Sequence, residues 1–374
     1  MAKKFKKHRY FVLRLIFRLI KLFDTRITLD VDPGGMGTIL VVSTTAIGDT
    51  LLSTPAIRAI KKRYPKARIA ALVHEKRKEM LINNPYIDEI IPYGGKWKGT
   101  VELITTLRER DFDAAVILHA NDPDIVPIVY LANIPVRIGW RESRFHFLLS
   151  HTSPRSAEPE HLIRRRLRIA AIIGAAPDGE TMDLVPTKHE IGLAERFIVE
   201  RGLAVKKLVG IHPFGSHGSK QWSNLPGFLA AAPSRFPEHV FLVLGGEKEI
   251  EAAIEMEKKV GGTPENVIFV AGDFSLRQSA ALMTRCDCFV TTDSGPMQMA
   301  LALGVPVVVL AGPTDMRLTG PIDMEKNRII QKEVSCRPCA MKECDDGTCM
   351  ASIGADDVFT VLEEMLSAPQ PKGE

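Results

Sequence analysis

The chain has 374 residues, of which 45% are hydrophobic and 25% are charged, so it is long enough for two domains with sizeable cores. Its six cysteines are too few for a disulfide scaffold, and no apolar run is long enough for a conventional membrane span. Residues 1–37 carry a net charge of +6, which leaves −2 for the rest of the chain. A nearly neutral body argues against a nucleic-acid-binding protein.

Residues 3–23 predict a helix with a narrow basic stripe on an otherwise apolar surface. The stripe consists of Lys3, Lys7, Arg14, Arg18 and Lys21. This pattern favours a helix lying in a membrane surface, with its cationic heads near anionic head groups. Packing on the protein's own body and a secretory signal are the alternatives. The charges that interrupt the apolar region, and the lack of an A-x-A cleavage site, count against the signal.

From residue 38 onward, short Val- and Ile-rich runs alternate with helical stretches, a pattern typical of parallel sheets covered on both faces. The predicted strands are 39–43, 68–73, 114–118, 136–139, 208–213, 240–245, 267–272, 289–292 and 306–311. We therefore predict an α/β protein with two doubly wound, Rossmann-like domains facing a cleft. The predicted segments are the basic segment 1–37, a first domain 38–185, a linker helix 186–206, a second domain 207–353, and a C-terminal helix with a disordered tail, 354–374.

Polar residues follow the first strand, in the turn 43–50. Gly48 permits close backbone approach, and Asp49 stands near the start of a helix. Asp49 is either the helix cap or a general base at the edge of the cleft. Spacing alone favours the cap, and the turn lacks the G-x-G-x-x-G pattern of dinucleotide sites.

Two turns of the second domain have the composition of phosphate and ribose sites. After strand 208–213, Gly215, Ser216 and Lys220 form a small-residue loop that could wrap a phosphate. After strand 240–245, Gly246 and Glu247 open a helix at a position where a carboxylate can bind ribose hydroxyls. An ordinary solvated loop and an acidic helix start are equally compatible with these two patterns.

The segment after strand 289–292 carries the clearest pattern. Its residues are Asp293, Ser294, Gly295, Pro296, Met297 and Gln298, and a helix begins within them. Pro suits a first helical turn, and the free N–H groups there can bind an anion. The next strand ends in a second polar turn, 312–315. The two turns together favour a phosphate or nucleotide site over a helix cap with a tight turn.

These segments together resemble glycosyltransferase family 9, the lipopolysaccharide heptosyltransferases. The resemblance spans roughly residues 38–365 and is carried by AIGDTLLSTPAIRAIKKRYP, GSHGSKQW, GGEKE, the D-S-G-P-M block with A-L-G-V-P after it, and AGPTD. It implies a GT-B fold and an inverting transfer that needs no metal or other cofactor. It also implies a nucleotide-sugar donor on the second domain and a lipid-linked acceptor on the first.

The resemblance also implies roles for individual residues. Asp49 matches the family's catalytic base, Lys220 the lysine that steadies the leaving diphosphate, and Glu247 the ribose-binding carboxylate. The donor site would further include Gly215, Ser216, Gly246, Asp293, Ser294, Gly295, Pro296, Met297 and Gln298. Gln298 departs from the family, in which many members have His. For the acceptor we expect Gly48, Arg141 and Arg144, whereas the run 164–166 is interpreted mainly as helix-surface charge.

Our functional hypothesis is a cytoplasmic enzyme, peripheral on the inner membrane, that moves heptose from ADP-heptose to a lipopolysaccharide-core acceptor. Residues 3–23 would contact the membrane. A transferase for another nucleotide sugar is one alternative. An inactive nucleotide- or glycolipid-binding protein is the other, and Gln298 is the feature that favours it.

Four cysteines cluster near the C-terminus, with spacing C-x2-C-x4-C-x4-C. They are Cys336, Cys339, Cys344 and Cys349, within the segment 336–349. A structural zinc ion, an iron–sulfur cluster, reduced thiols and disulfides are all compatible with this spacing. Cys286 and Cys288 are expected to be core residues.

Overall fold

The protein is described here from a computed structural model. The structure describes residues 2–24, 35–119, 123–215, 217–262, 264–339 and 343–367, with side chains from residue 10 onward. The chain divides into two compact units, Met1–Thr181 and Met182–Glu374. The helix predicted as a linker therefore belongs to the second unit.

The first unit contains a sheet of six parallel strands. The strands are β1 (Thr38–Ser43), β2 (Arg68–His74), β3 (Glu89–Tyr93), β4 (Ala114–Ile117), β5 (Val136–Trp140) and β6 (His151–Ser153). The helices are α1 (Ala2–Leu22), α2 (Ile47–Leu51), α3 (Thr54–Arg63), α4 (Thr100–Glu109), α5 (Ile125–Leu131) and α6 (Leu162–Ala170). Short 3-10 helices cover Glu75–Leu81, His146–Leu148 and Ala171–Ile173. The strand order is β3-β2-β1-β4-β5-β6.

The second unit repeats this winding. Its strands are β7 (Lys207–His212), β8 (His239–Val243), β9 (Val267–Phe269), β10 (Cys288–Thr292), β11 (Val307–Leu310) and β12 (Arg328–Ile330). Its helices are α7 (Lys188–Glu200), α8 (Leu225–Arg235), α9 (Ile250–Val260), α10 (Leu276–Met283), α11 (Gly295–Ala302), α12 (Met316–Thr319), α13 (Thr348–Ala351) and α14 (Ala355–Ser367). Its 3-10 helices are Gly218–Lys220 and Glu247–Glu249. From its β9 edge the order is β9-β8-β7-β10-β11-β12, so both sheets are wound alike.

The central strands are buried along their length. All residues of β4, β10 and β11 are buried, because helices cover both faces of each sheet. The winding reverses between β1 and β4 in the first unit and between β7 and β10 in the second. In open α/β sheets, ligands bind beyond the carboxyl ends of the strands at such a reversal. The polar turns predicted from the sequence follow three of these four strands, β1, β7 and β10.

Helix α1 packs one face on the first unit and leaves another exposed. Phe17 is buried, with ring centroids 6.4 Å from Tyr130 and 5.7 Å from Phe145. Eight apolar side chains remain exposed, from 41% for Ile20 to 84% for Phe23. They are Phe11, Val12, Leu15, Ile16, Leu19, Ile20, Leu22 and Phe23. In the part of the chain that the structure describes, no helix is long and apolar enough to cross a membrane.

The C-terminal helix α14 completes the core of the second unit. Phe359 stacks on Phe228 of α8, with ring centroids 4.8 Å apart. Trp222 is fully buried, and its indole N–H donates to the carbonyl of Ile353 at 2.9 Å. The tail predicted to be disordered, after Ser367, lies outside the described residues.

Candidate functional site

In the first unit, Asp49 follows β1 as the third residue of the short helix α2. The N-cap position is occupied by Ala46, which has no side-chain cap, so the interpretation of Asp49 as the helix cap is wrong. The carboxylate instead makes tertiary contacts. Oδ1 accepts a hydrogen bond from Nη2 of Arg166 at 2.8 Å, and Oδ2 accepts one from the hydroxyl of Thr45 at 2.8 Å. The side chain keeps 24% of its surface exposed, so it is partly accessible.

Arg166 corrects the interpretation of the run 164–166 as surface charge. It is 2% exposed and points from α6 to Asp49. Arg165 lies with its guanidinium 4.4 Å from the ring centroid of Trp140. Only Arg164 behaves as predicted, since it is exposed and pairs with Glu180.

The charges of Asp49 and His119 follow from burial and from the charged groups around them. Burial raises the pKa of Asp49, but the charges of Arg166 and His119 and the Thr45 hydrogen bond outweigh it, so this pKa lies below its ordinary value. Burial lowers the pKa of His119 to about 4, and only the charge of Asp49 opposes that shift. At neutral pH, His119 is therefore neutral and Asp49 is ionised beside Arg166.

Of the three predicted acceptor residues, two lie at the carboxyl edge of the first sheet and one contacts α1. Gly48 precedes Asp49 in α2, and the exposed Arg141 directly follows β5 at the same edge of the sheet. The guanidinium of Arg144 lies 4.3 Å from the ring centroid of Tyr10, so it is engaged with α1.

In the second unit, the loops after β7 and β10 meet. The ammonium of Lys220 contacts a carboxylate oxygen of Asp293 at 2.5 Å and its backbone carbonyl at 3.3 Å. Both side chains are largely buried, at 20% and 10% exposure. Gly215 lies against Lys220, and Ser216 lies outside the described residues. Two predicted donor-site residues from separate strands are thus brought into contact.

The first turn of α11 presents backbone donors beside this pair. Ser294 is the N-cap, but its hydroxyl donates to the carbonyl of Thr292 at 3.2 Å and does not cap the helix. Pro296 occupies the first turn of the helix. The backbone N–H groups of this turn lack helical partners and attract anions.

The other predicted donor residues lie apart from this pair. Met297 is fully buried, and Gln298 is 3% exposed with its amide N–H donating to the carbonyl of Thr319 at 2.7 Å. Gln298 therefore joins α11 to α12 as a buried packing contact. Gly246 and Glu247 follow β8 and are exposed, and the backbone N–H of Gly246 is bonded to Glu249 at 2.8 Å.

The cysteine segment contains free thiols. Burial, together with the neighbouring thiols of Cys336, Cys339 and Cys344, raises the pKa of Cys349. Within the described ranges, no three His, Cys, Asp or Glu side chains are arranged to hold a metal ion. The four sulfurs therefore do not fit a zinc ion in this arrangement. Cys286 and Cys288 are buried core residues, as predicted, and burial raises the pKa of each thiol to about 12.

Sequence reasoning missed Thr45, His119 and Arg166, although one signal was present. Helical spacing places Arg166 on one face with Ile163, Ile169 and Ala170, which are all buried. An arginine on the apolar face of a helix indicates a buried ion pair.

Solved structures share this architecture. The crystal structure of a family 9 glycosyltransferase from Veillonella parvula aligns with a TM-score of 0.76 at 21% identity, covering 91% of this chain and 99% of that one. The structure of Escherichia coli ADP-heptose lipopolysaccharide heptosyltransferase II aligns with a TM-score of 0.71 at 23% identity, covering 88% and 98%. Two parallel sheets of this winding, together with these structural similarities, show a GT-B fold.

The sequence comparisons specify the family. The model of glycosyltransferase family 9 (heptosyltransferase) matches residues 100–349, about two thirds of the chain. Lipopolysaccharide heptosyltransferase 2 of Salmonella typhimurium is 28% identical over 308 residues, covering 78% of this chain and 87% of that protein. The chain belongs to glycosyltransferase family 9.

Proposed function

We propose that this enzyme transfers heptose from ADP-heptose to a lipid-linked acceptor of the lipopolysaccharide core, with inversion and without a metal ion. The observation that carries the proposal is the ionised, partly open carboxylate of Asp49 at the reversal point of the first sheet. The names of the related heptosyltransferases support the choice of sugar, donor and acceptor.

In this mechanism Asp49 is the general base. The acceptor hydroxyl oxygen forms a bond to the anomeric carbon while the bond from that carbon to the diphosphate oxygen breaks. The bonding electron pair leaves with the diphosphate, and the hydroxyl proton moves to the Asp49 carboxylate. Attack opposite the leaving group inverts the anomeric centre. The first domain, 38–185, would bind the acceptor through Gly48, Arg141 and Arg144.

The second domain, 207–353, would bind the donor. Its diphosphate would lie at the first turn of α11, where Ser294, Gly295 and the following N–H groups stabilise the developing charge. Lys220 is already paired with Asp293, so the pair brings little net charge of its own. We expect the ammonium to turn from Asp293 toward the diphosphate when the donor binds. Glu247, exposed after β8, would bind the ribose.

Helix α1 would hold the enzyme on the cytoplasmic face of the inner membrane. Its exposed apolar side chains face away from the packed side. Arg18 and Lys21 lie against Phe147 of the first unit, which anchors the helix to the body. An enzyme held at the membrane meets a lipid-linked acceptor at a raised effective concentration.

A structural zinc ion at the cysteine segment remains a separate hypothesis. The cysteine side chains would have to rearrange around the ion, because among the described residues no three such ligands are placed to hold one. Element analysis tests it: one zinc per chain, lost in Cys339→Ser, would support a metal site. Zinc-free, fully active protein would leave a segment of reduced thiols.

An alternative is transfer of another sugar, since no described contact reads the donor base or sugar. The inactive-binder alternative rests on Gln298, which cannot carry a positive charge near neutral pH. A panel of nucleotide sugars separates these alternatives from heptose transfer.

The decisive experiment measures ADP release from ADP-heptose, with and without a short-core glycolipid, for wild type and Asp49→Asn. We expect acceptor-dependent release by wild type and a loss of roughly 10²–10⁴-fold in the variant. If nucleotide is released only from another nucleotide sugar, that compound replaces ADP-heptose as the proposed donor. If no nucleotide sugar releases its nucleotide, the result favours the alternative of an inactive binding protein.

A further inference from the structure

Arg166 is a buried charge with one described ionic partner. It is 2% exposed, its Nη2 reaches Oδ1 of Asp49, and its Nη1 has no hydrogen-bond partner among the described residues. A buried charge is retained only where its partner compensates for lost hydration. The side chain is therefore committed to Asp49.

The contacts of Asp49 fix the direction of its carboxylate. Each oxygen accepts one described hydrogen bond, from Arg166 or from Thr45, and a carboxylate oxygen has two lone pairs. The backbone carbonyl of Asp49 is also held, by the hydroxyl of Ser53 at 2.8 Å. Each oxygen keeps one lone pair beyond these described contacts, and the side chain is 24% exposed, so the carboxylate can accept a hydroxyl proton.

Few described charges face this carboxylate. Arg166 approaches from α6 and His119 from the end of β4, and Arg165 faces His119. Because His119 is neutral above about pH 4, Arg166 supplies the positive charge that acts on Asp49 at neutral pH.

We propose that Arg166 is a positioning residue of the transfer reaction, which holds the Asp49 carboxylate in the orientation that receives the acceptor proton. The proposal rests on the proposed function above. Arg166 touches no reacting atom. It stabilises the carboxylate before the step and disfavours the protonated acid after it, so Asp49 returns its proton to solvent between turnovers.

The proposal has a pH signature. Burial is the largest single influence on the pKa of Asp49 and raises it, and the charge of Arg166 is the largest opposing influence, so loss of Arg166 raises this pKa. A general base is active when deprotonated, so the rate falls as pH drops through that pKa. A raised pKa therefore moves the acidic limb of the kcat/KM profile to higher pH.

The test compares Arg166→Gln and Arg166→Lys with the matched control Arg164→Gln, which removes an exposed arginine from the same helix. Profiles of kcat/KM against pH are measured with ADP-heptose and the glycolipid, and folding is checked by thermal melting. For Arg166→Gln we expect the acidic limb of the kcat/KM profile to move to higher pH by about 1–3 pH units. We also expect a lower kcat with little change in KM. Arg166→Lys should keep the wild-type limb, because it keeps the charge, but lower kcat. The control should match wild type.

An unshifted limb in folded Arg166→Gln would overturn the proposal, as would equal losses at every pH in both variants. If Arg166→Gln does not fold, Arg166→Lys decides, because a wild-type kcat there contradicts the orienting role. The Asp49→Asn variant tests the assignment of Asp49 as the base separately from the positioning role of Arg166. If it retains turnover, the assignment of the base fails, whereas an inactive Asp49→Asn with unaffected Arg166 variants defeats only the role of Arg166.

Discussion

The loop after β7 depends on a glycine that has no space for a side chain. A Cβ atom at Gly215 would lie 2.5 Å from Cβ of Lys220 and 2.7 Å from its backbone carbonyl carbon. Backbone atoms cannot move aside without moving the loop. Gly218, three residues later, has open space at the same position. The loop thus contains a sensitive glycine and a matched tolerant one.

We predict that Gly215→Ala weakens ADP binding by roughly tenfold, because relieving the overlap displaces Lys220 at a cost of about 1–3 kcal/mol. Titration calorimetry with ADP measures the effect. Gly218→Ala is the control and should bind like wild type. Equal affinity of both variants would show that nucleotide binding does not depend on the position of Lys220.

The site residues differ in how far the sequence could reveal them. Asp49, Lys220 and Asp293 each follow an apolar strand, so the parallel-sheet rule predicts their place at the edge. The contact between Lys220 and Asp293 also follows, because β7 and β10 are neighbours. His119 and Arg166 reach Asp49 from elements whose register the sequence leaves open, and their convergence required the structure.

At the scale of elements, α1 packs one face on the protein's own body and leaves a second apolar face exposed. Phe17 is buried against the first unit, whereas Leu15 and Leu19 are 45% and 58% exposed on another side. A helix that is apolar on both sides exceeds what packing on one body requires. The exposed side is the one that would enter a lipid surface.

We predict that the double substitution Leu15→Glu with Leu19→Glu reduces binding to vesicles containing anionic phospholipid, because it places charge in the apolar face. Vesicle flotation measures the bound fraction. Val205→Glu is the matched control, since Val205 is 93% exposed in the other unit. Unchanged flotation of the double variant would exclude this face as the membrane contact.

The strands that sequence patterns missed share one property. β3, β6 and β12 lie at sheet edges, and β6 and β12 have only three residues each. An edge strand has one paired side, so its sequence need not be a continuous apolar run. The central strands were predicted because their burial on both faces imposes such a run.

At the scale of the whole molecule, each unit has its own group of candidate functional residues at the carboxyl edge of its sheet. The proposed base, Asp49, lies at the reversal point of the first unit, and the pair of Lys220 and Asp293 lies at that of the second. The described contacts of Asp49 and of Lys220 stay within their own units. Donor binding and proton removal should therefore respond to separate substitutions.

We predict that Asp49→Asn abolishes turnover but binds ADP like wild type, whereas Lys220→Gln raises the Kd for ADP by roughly 10–100-fold. The second estimate is the loss of one charge-assisted hydrogen bond, about 1.5–3 kcal/mol. Calorimetry and single-turnover kinetics measure the two properties. Weakened ADP binding in Asp49→Asn would contradict the assignment of donor binding and proton removal to separate units.

The repeated winding has a consequence for engineering. Because the chain passes from one compact unit to the other between Thr181 and Met182, a single crossover there separates two complete sheets. Chimaeras joined at this point with family members that use other donors would inherit the donor preference of their second half. Specificity in this enzyme would then be exchangeable by recombination, without rebuilding the residues that remove the proton.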